Sequence, residues 1–129
     1  MNDQQIEQEI QTKGLTAPRI TPADIEANIT SEHYFTAEQG SRMAREEYNR
    51  AHGGSGLPHE HPHTQALSIL TFCVLVLRNG FTVTGESACA SPENFNAEIG
   101  RKIARENAVQ KMWPLMGYEL RSKLAGGQA

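Results

Sequence analysis

A chain of 129 residues has room for one domain and little room for a second. Its hydrophobic fraction is 38% and its aromatic fraction 6%, a lean core of the kind that often completes its burial by pairing with copies of itself. A formal net charge of −3 leaves no Lys and Arg excess of the sort a dedicated duplex-DNA binder relies on. The first 20 residues are polar and hold no apolar core of a signal peptide. The longest apolar stretch, Ile69 to Leu77, is interrupted by Thr71 and is far short of a membrane span. A cytosolic protein with Cys73 and Cys89 as reduced thiols is expected.

From the N-terminus, Ile6 and Ile10 lie one turn apart in Asn2 to Lys13, with Gly14 placed to stop a short, marginal helix; residues 1–19 read as a tail. Thr21-Pro22-Ala23-Asp24 is a stronger start, with a capping hydroxyl, a first-turn proline and an acid facing the helix dipole. Ile25 and Ile29 then predict a buried helical stripe extending to His33. Thr36 and Gln39 have capping-box spacing, and Met43, Ala44, Tyr48 and Ala51 follow at helical intervals. The mixed charges Arg42, Arg45, Glu46, Glu47 and Arg50 cover the remaining sides.

Residues 52–66 are rich in Gly, Pro and His and read as a mobile loop. His59, His61 and His63 fall on one side of an extended segment, the pattern of a metal cluster. Pro58 and Pro62 stiffen that loop, no cysteine is close and no HExxH helix is present, so a solvent-exposed loop without metal is expected. Residues 68–124 form the core. Ser68 to Leu77 and Thr82 to Glu86 flank Asn79-Gly80, the leading hairpin sequence, because both central positions accept positive φ. A two-residue turn would pair Arg78 with Phe81, Val76 with Val83 and Val74 with Gly85. Ser91-Pro92-Glu93 opens the longest helix, expected to run to Trp113; Pro114 would break it before a last short helix, Tyr118 to Leu124.

The fold class expected is thus α+β: an antiparallel hairpin or small sheet packed on a long C-terminal helix, with N-terminal helices. On the long helix Phe95, Ile99 and Ile103 form an apolar stripe suited to the hairpin. Ala97, Gly100, Ala104 and Ala108 form a small-residue stripe, suited either to close self-association or to packing within one chain. Arg101 and Arg105, four apart, point the same way and suit either a phosphate or a solvated salt-bridge face supported by Glu98. Phe81 at the hairpin tip could stack on a base or pack on the core. Ser91 and the amides of its helix start could take an anion or merely cap. Arg78, Phe81, Ser91, Asn94, Arg101 and Arg105 are the candidate ligand-binding residues. No GxSxG, P-loop, GxGxxG or CxxC motif is present, which lowers the prior for an enzyme.

The stretch LTFCVLVLRNGFTVTGESACASPENFNAEIGRKIARENAVQKMWPLMGYEL, Leu70 to Leu120, resembles the signature of a family of small phage proteins of long-unassigned role, named after gene products of two enterobacterial phages. ITPADIEANITSEHYF, Ile20 to Phe35, resembles that family's N-terminal part, and Arg42 to Gln65 stands as an insertion. Through this family the sequence is similar to the anti-Thoeris sponge proteins of phages. The resemblance implies an α+β fold, a hexamer built from dimers, and non-enzymatic sequestration of cyclic ADP-ribose isomers, such as glyco-cyclic ADP-ribose, made by bacterial TIR enzymes. It implies for some members cyclic trinucleotides of CBASS defence, held at separate sites. It also implies action in the cytoplasm of the infected host, with no cofactor. In those proteins a Phe, an Asn and two Arg four apart contact the ligand. Phe81 and the Arg101–Arg105 pair are the counterparts, and Ser91, Asn94 and Asn96 share the window of the Asn. The alternative from a different class is an accessory module that binds a host protein or nucleic acid.

Overall fold

The computed structural model describes residues 2–54, 56 and 62–127. Helix α1 spans Asp3–Thr12, and a reciprocal capping box between Asn2 and Gln5 starts it. None of its residues is buried. It is tied down instead by Trp113, whose indole N–H donates to Asp3 at 3.1 Å, and by the two-pronged grip of Arg19 on Glu7. That grip holds the Glu7 carboxyl down to about 2.

Helix α2, Pro22–Ala27, begins with the expected Thr21–Asp24 capping box. It ends six residues before His33. Ile29–Thr36 is a strand, β1, so the helical stripe of Ile25 and Ile29 is broken at Asn28. The reason lies in the residues that follow: Thr30, Tyr34, Phe35 and Thr36 are β-formers whose burial alternates once a partner strand is available. Helix α3, Ala37–Ala51, starts at the Thr36–Gln39 capping box as the spacing predicts. A short helix α4, Thr64–Ser68, occupies the end of the expected loop. His59, Glu60 and His61 lie outside the described residues.

Strands β2, Leu70–Leu77, and β3, Thr82–Ala88, complete an antiparallel sheet of order β1-β2-β3. The hairpin is one residue out of the expected register: Val83 pairs with Leu75 and Gly85 with Cys73. The loop holds three residues, Arg78 to Gly80, closed by Leu77 N–H to Phe81 O at 2.8 Å and Gly80 N–H to Leu77 O at 2.9 Å. Gly80 alone takes positive φ, +88°, the arrangement of a three-residue turn with a left-handed last position. A one-residue slip moves every β3 side chain to the other face. Val83 and Gly85 therefore join Thr71, Cys73, Leu75 and Leu77 under the long helix, while Thr82, Thr84 and Glu86 face away.

Pro92–Asn94 forms a single 3₁₀ turn, and the long helix α5 starts later than expected, spanning Ala97–Ala125 with Asn96 as its cap. Ser91 caps nothing with its side chain. Pro114 does not break α5, and Tyr118–Leu124 is its continuation rather than a separate helix. Pro114 sits on the exposed side, where the carbonyl one turn back tilts towards water. The buried residues Met112, Val109 and Ala108 anchor the helix just before it.

The two stripes on α5 exchange roles. Gly100, Ala104 and Ala108 are the buried face, whereas Ile99 and Ile103 are exposed. The cause is the closeness of approach. A Cβ placed on Gly85 of β3 would lie 2.2 Å from the Ala104 carbonyl and 2.3 Å from the Ala108 nitrogen. Only small side chains fit between backbones that near. The core is then Ile25, the inward residues of β2, Val83 and the small face of α5 with Val109 and Met112. Among the described residues no helix is long and apolar enough to cross a membrane.

Gly85→Ala is expected to lower the urea midpoint by the equivalent of at least the roughly 1–3 kcal/mol typical of core overpacking, because the clash is with backbone. Gly117→Ala, where an added Cβ meets nothing within 4 Å, should raise stability by up to about 1 kcal/mol through helix propensity. Equal midpoints for the two variants would count against this seating of α5.

Candidate functional site

Ala97 opens α5, and helix geometry leaves the first-turn amides without intrahelical acceptors. The Asn96 side chain takes one of them, the amide of Ile99, at 2.9 Å. The chain enters the helix through Phe95, which is half-buried. One turn in, Gly100 faces Thr71 of β2: a Cβ there would sit 3.0 Å from the Thr71 hydroxyl oxygen. Thr71 is 3% exposed, and its hydroxyl has no hydrogen-bond partner among the described residues. An unsatisfied buried hydroxyl costs on the order of 1–3 kcal/mol unless something meets it.

Thr71 also lines a cavity of about 190 Å³ beside the start of α5, together with Arg101, Gln39, Ala97, Tyr34 and Phe95. Arg101 is exposed and makes no ion pair among the described residues; Glu98, its expected support, pairs with Lys102 at 3.3 Å. The cavity therefore gathers an unpaired guanidinium, a buried hydroxyl without a partner, the positive end of a 29-residue helix and aromatic walls. Such a set suits a phosphate with an attached ring.

Arg105 has a different fate. Its Nε donates to Glu32 at 3.0 Å and its Nη2 to Glu26 at 2.8 Å, so it clamps β1 and α2 to α5. Glu32 also accepts from the Tyr34 hydroxyl at 2.6 Å. Hydrogen bonding by Arg105, then by Tyr34, holds the Glu32 carboxyl below its ordinary range. Burial, with the same Glu32 contact, pushes the Tyr34 phenol up, and burial does the same to the Cys73 thiol. Arg105 thereby fixes the Tyr34 wall of the Arg101 cavity without opening onto it.

The six candidates fall into three groups. Arg101 lines the cavity, and Asn94 precedes its Phe95 wall in the chain; Ser91, in the turn just before, uses its carbonyl to accept from the Asn94 amide at 2.9 Å. Arg105 is engaged in the clamp. Phe81 and Arg78 stay at the hairpin tip, where Phe81 lines a groove with Leu115, Met116 and Tyr118 near the other end of α5. Leu115 lies about 21 Å along the helix from Arg101, so one chain does not bring Phe81 and the arginines together. Thr71, Tyr34 and Gln39 were not among the candidates. Tyr34 falls between the expected helix that ends at His33 and the one that starts at Thr36, and Thr71 reads as an interruption in an apolar run.

Residues 20–124 match the model of a family described as phage protein (N4 Gp49/phage Sf6 gene 66). The matched span extends from before β1 to near the end of the long helix. No curated protein and no solved structure matches the chain.

Because the folded-state pKa of Glu32 lies below its unfolded value, the clamp contributes stability above the ordinary carboxylate pKa of 4.5 that is lost as pH falls through the folded value. Urea titrations at stepped pH should show the wild type losing more stability than Glu32→Gln across that acid range. Parallel pH profiles would show that the clamp adds nothing.

Proposed function

The chain belongs to this phage protein family, and from that premise we propose that it is a counter-defence protein that captures a cyclic nucleotide immune signal and holds it intact. The signal class is a cyclic ADP-ribose isomer, such as glyco-cyclic ADP-ribose, with cyclic trinucleotides as the second class to test. It acts in the cytoplasm of the infected host.

One observation carries the reading: Arg101, unpaired among the described residues, lines an aromatic-walled cavity with Thr71 at the positive end of α5. A diphosphate carrying a ribose and a base answers each of those groups. The guanidinium and the first-turn amides take phosphate oxygens, and Phe95 or Tyr34 offers a ring face. The cavity is small and open, about 190 Å³, so part of the nucleotide sits inside and the rest lies across the rim. Sequestration asks for affinity rather than turnover. A sub-micromolar Kd corresponds to about −8 to −12 kcal/mol, within reach of two or three charge-assisted contacts and one stacked ring.

Calorimetry with a panel of cyclic ADP-ribose isomers and cyclic trinucleotides is the test. Binding to the wild type and loss on the order of 10- to 100-fold in Arg101→Ala, the equivalent of the 1.5–3 kcal/mol typical of a hydrogen bond to a charged group, is the expected result. Ligand released by denaturing the complex should be chemically unchanged; a cleaved product would make the protein an enzyme. No binding across the panel, with a host protein or nucleic acid recovered by pulldown, would favour the interaction module instead.

A further inference from the structure

Helix α1 is the least supported of the long elements. Its 10 residues are fewer than the roughly 12–15 that a helix needs to hold its shape alone in water. None of them is buried, and Ile6, one of its two apolar side chains, is 44% exposed. The buried core runs from Ile25 to Met112 and takes nothing from α1. Packing beneath the helix is incomplete. A cavity of about 200 Å³ is walled by Ile6 and Ile10 together with Ile20, Pro22 and Trp113. A second, of about 510 Å³, is lined by Asn2 and Asp3 with Ile25, Glu26, Arg105 and Trp113.

We infer that α1 is a strap that opens and closes as a unit over the cavities it shares with α2 and α5, while the rest of the chain stays folded. Gly14, just past the helix, supplies the hinge: it takes φ +68°, which glycine adopts at little cost, and a Cβ there would meet nothing within 4 Å. Leu15 beyond it is 56% exposed, so burial does not hold the connector down. What closes the strap is polar and confined to two points. Arg19 grips Glu7 with both prongs, the Nη2 arm at 2.8 Å, and the Trp113 indole N–H donates to Asp3 at 3.1 Å. The first contact folds α1 back on its own connector; the second ties it to α5. Contacts of this kind exchange for water at small cost, and elements without buried apolar contacts open locally far more readily than a core does. Residues 1–19 also precede the matched span 20–124, so the strap lies outside the part of the chain that carries the core. Lifting it frees the indole N–H and opens the cavity that Glu26 and Arg105 share with Trp113. Those two belong to the clamp, so the strap closes beside the contacts that hold the Tyr34 wall. The inference does not depend on what the Arg101 cavity binds.

Hydrogen exchange of the full chain near neutral pH, with acrylamide quenching of Trp113, the chain's only tryptophan, is the test. In the wild type the α1 amides should be protected, yet exchange well before those around Ala104 and Ala108 of α5. Glu7→Gln should speed α1 exchange about 2- to 5-fold, the range for a surface ion pair. The double variant Asp3→Ala/Glu7→Gln should bring α1 to the rate of open chain and make Trp113 easier to quench, with α5 exchange unchanged. Glu9→Gln also removes a charge from α1 but breaks only its pair with Lys13, 2.9 Å apart, so quenching should stay at the wild-type level. Wild-type α1 amides that exchange in step with α5, or that show no protection, overturn the inference. So does a double variant quenched like the wild type, one whose α5 amides lose protection along with α1, or a Glu9→Gln chain quenched as readily as the double variant.

Discussion

The close seat of α5 on β3 governs the rest of the molecule. Gly85 gives up its side chain so that the Ala104–Ala108 turn can rest on strand backbone, and Gly100 does the same where the helix passes Thr71. With only small residues between helix and sheet, long side chains on α5 cannot lie underneath and must leave sideways. Arg105 leaves towards β1 and α2 and becomes the clamp; Arg101, one turn earlier, lines the cavity with Thr71. A bulkier seat would lift the helix, bury Ile99 or Ile103 in its place, and scatter the groups that now meet at the α5 start.

Local rules were readable directly. The caps at Thr21 and Thr36, the glycine turn and the α+β class all rest on contacts within a few residues, and all are present. What failed depended on partners far away in sequence. Ile25 and Ile29 have helical spacing, but β1 exists because β2 offers a ladder some 40 residues later. The Asn-Gly pair predicted a two-residue turn, yet placing Val83 and Gly85 under α5 requires the three-residue loop, and that burial outweighs turn preference. Pro114 carries a local penalty of about 3 kcal/mol in a helix interior, which packing of Met112, Trp113 and Met116 offsets.

The arginine pair shows the same limit within the site. Spacing of four residues places Arg101 and Arg105 on one side of a helix and says nothing about what waits there. Glu26 and Glu32 come from segments more than 70 residues away, and they neutralise one arginine and not the other. Sequence therefore identified the right helix and the right stripe, while only the tertiary fold separates the residue that is free to bind from the residue that holds the wall. Through Glu32 and the Tyr34 hydroxyl, the clamp orders one ring of the cavity. The two arginines thus bear on one candidate site by different routes.

The length of α5 then separates what its two ends carry. Its start lines the cationic cavity, and the apolar groove at the hairpin tip lies at least the 21 Å or so between Arg101 and Leu115 further along. The cavity needs only the end of β1, the start of α3, Thr71 of β2 and the first turns of α5. Those are the segments that the Gly85–Ala104 seat and the Arg105 clamp hold against one another, so the candidate site depends on the tightest packing in the molecule and not on the far end of the helix.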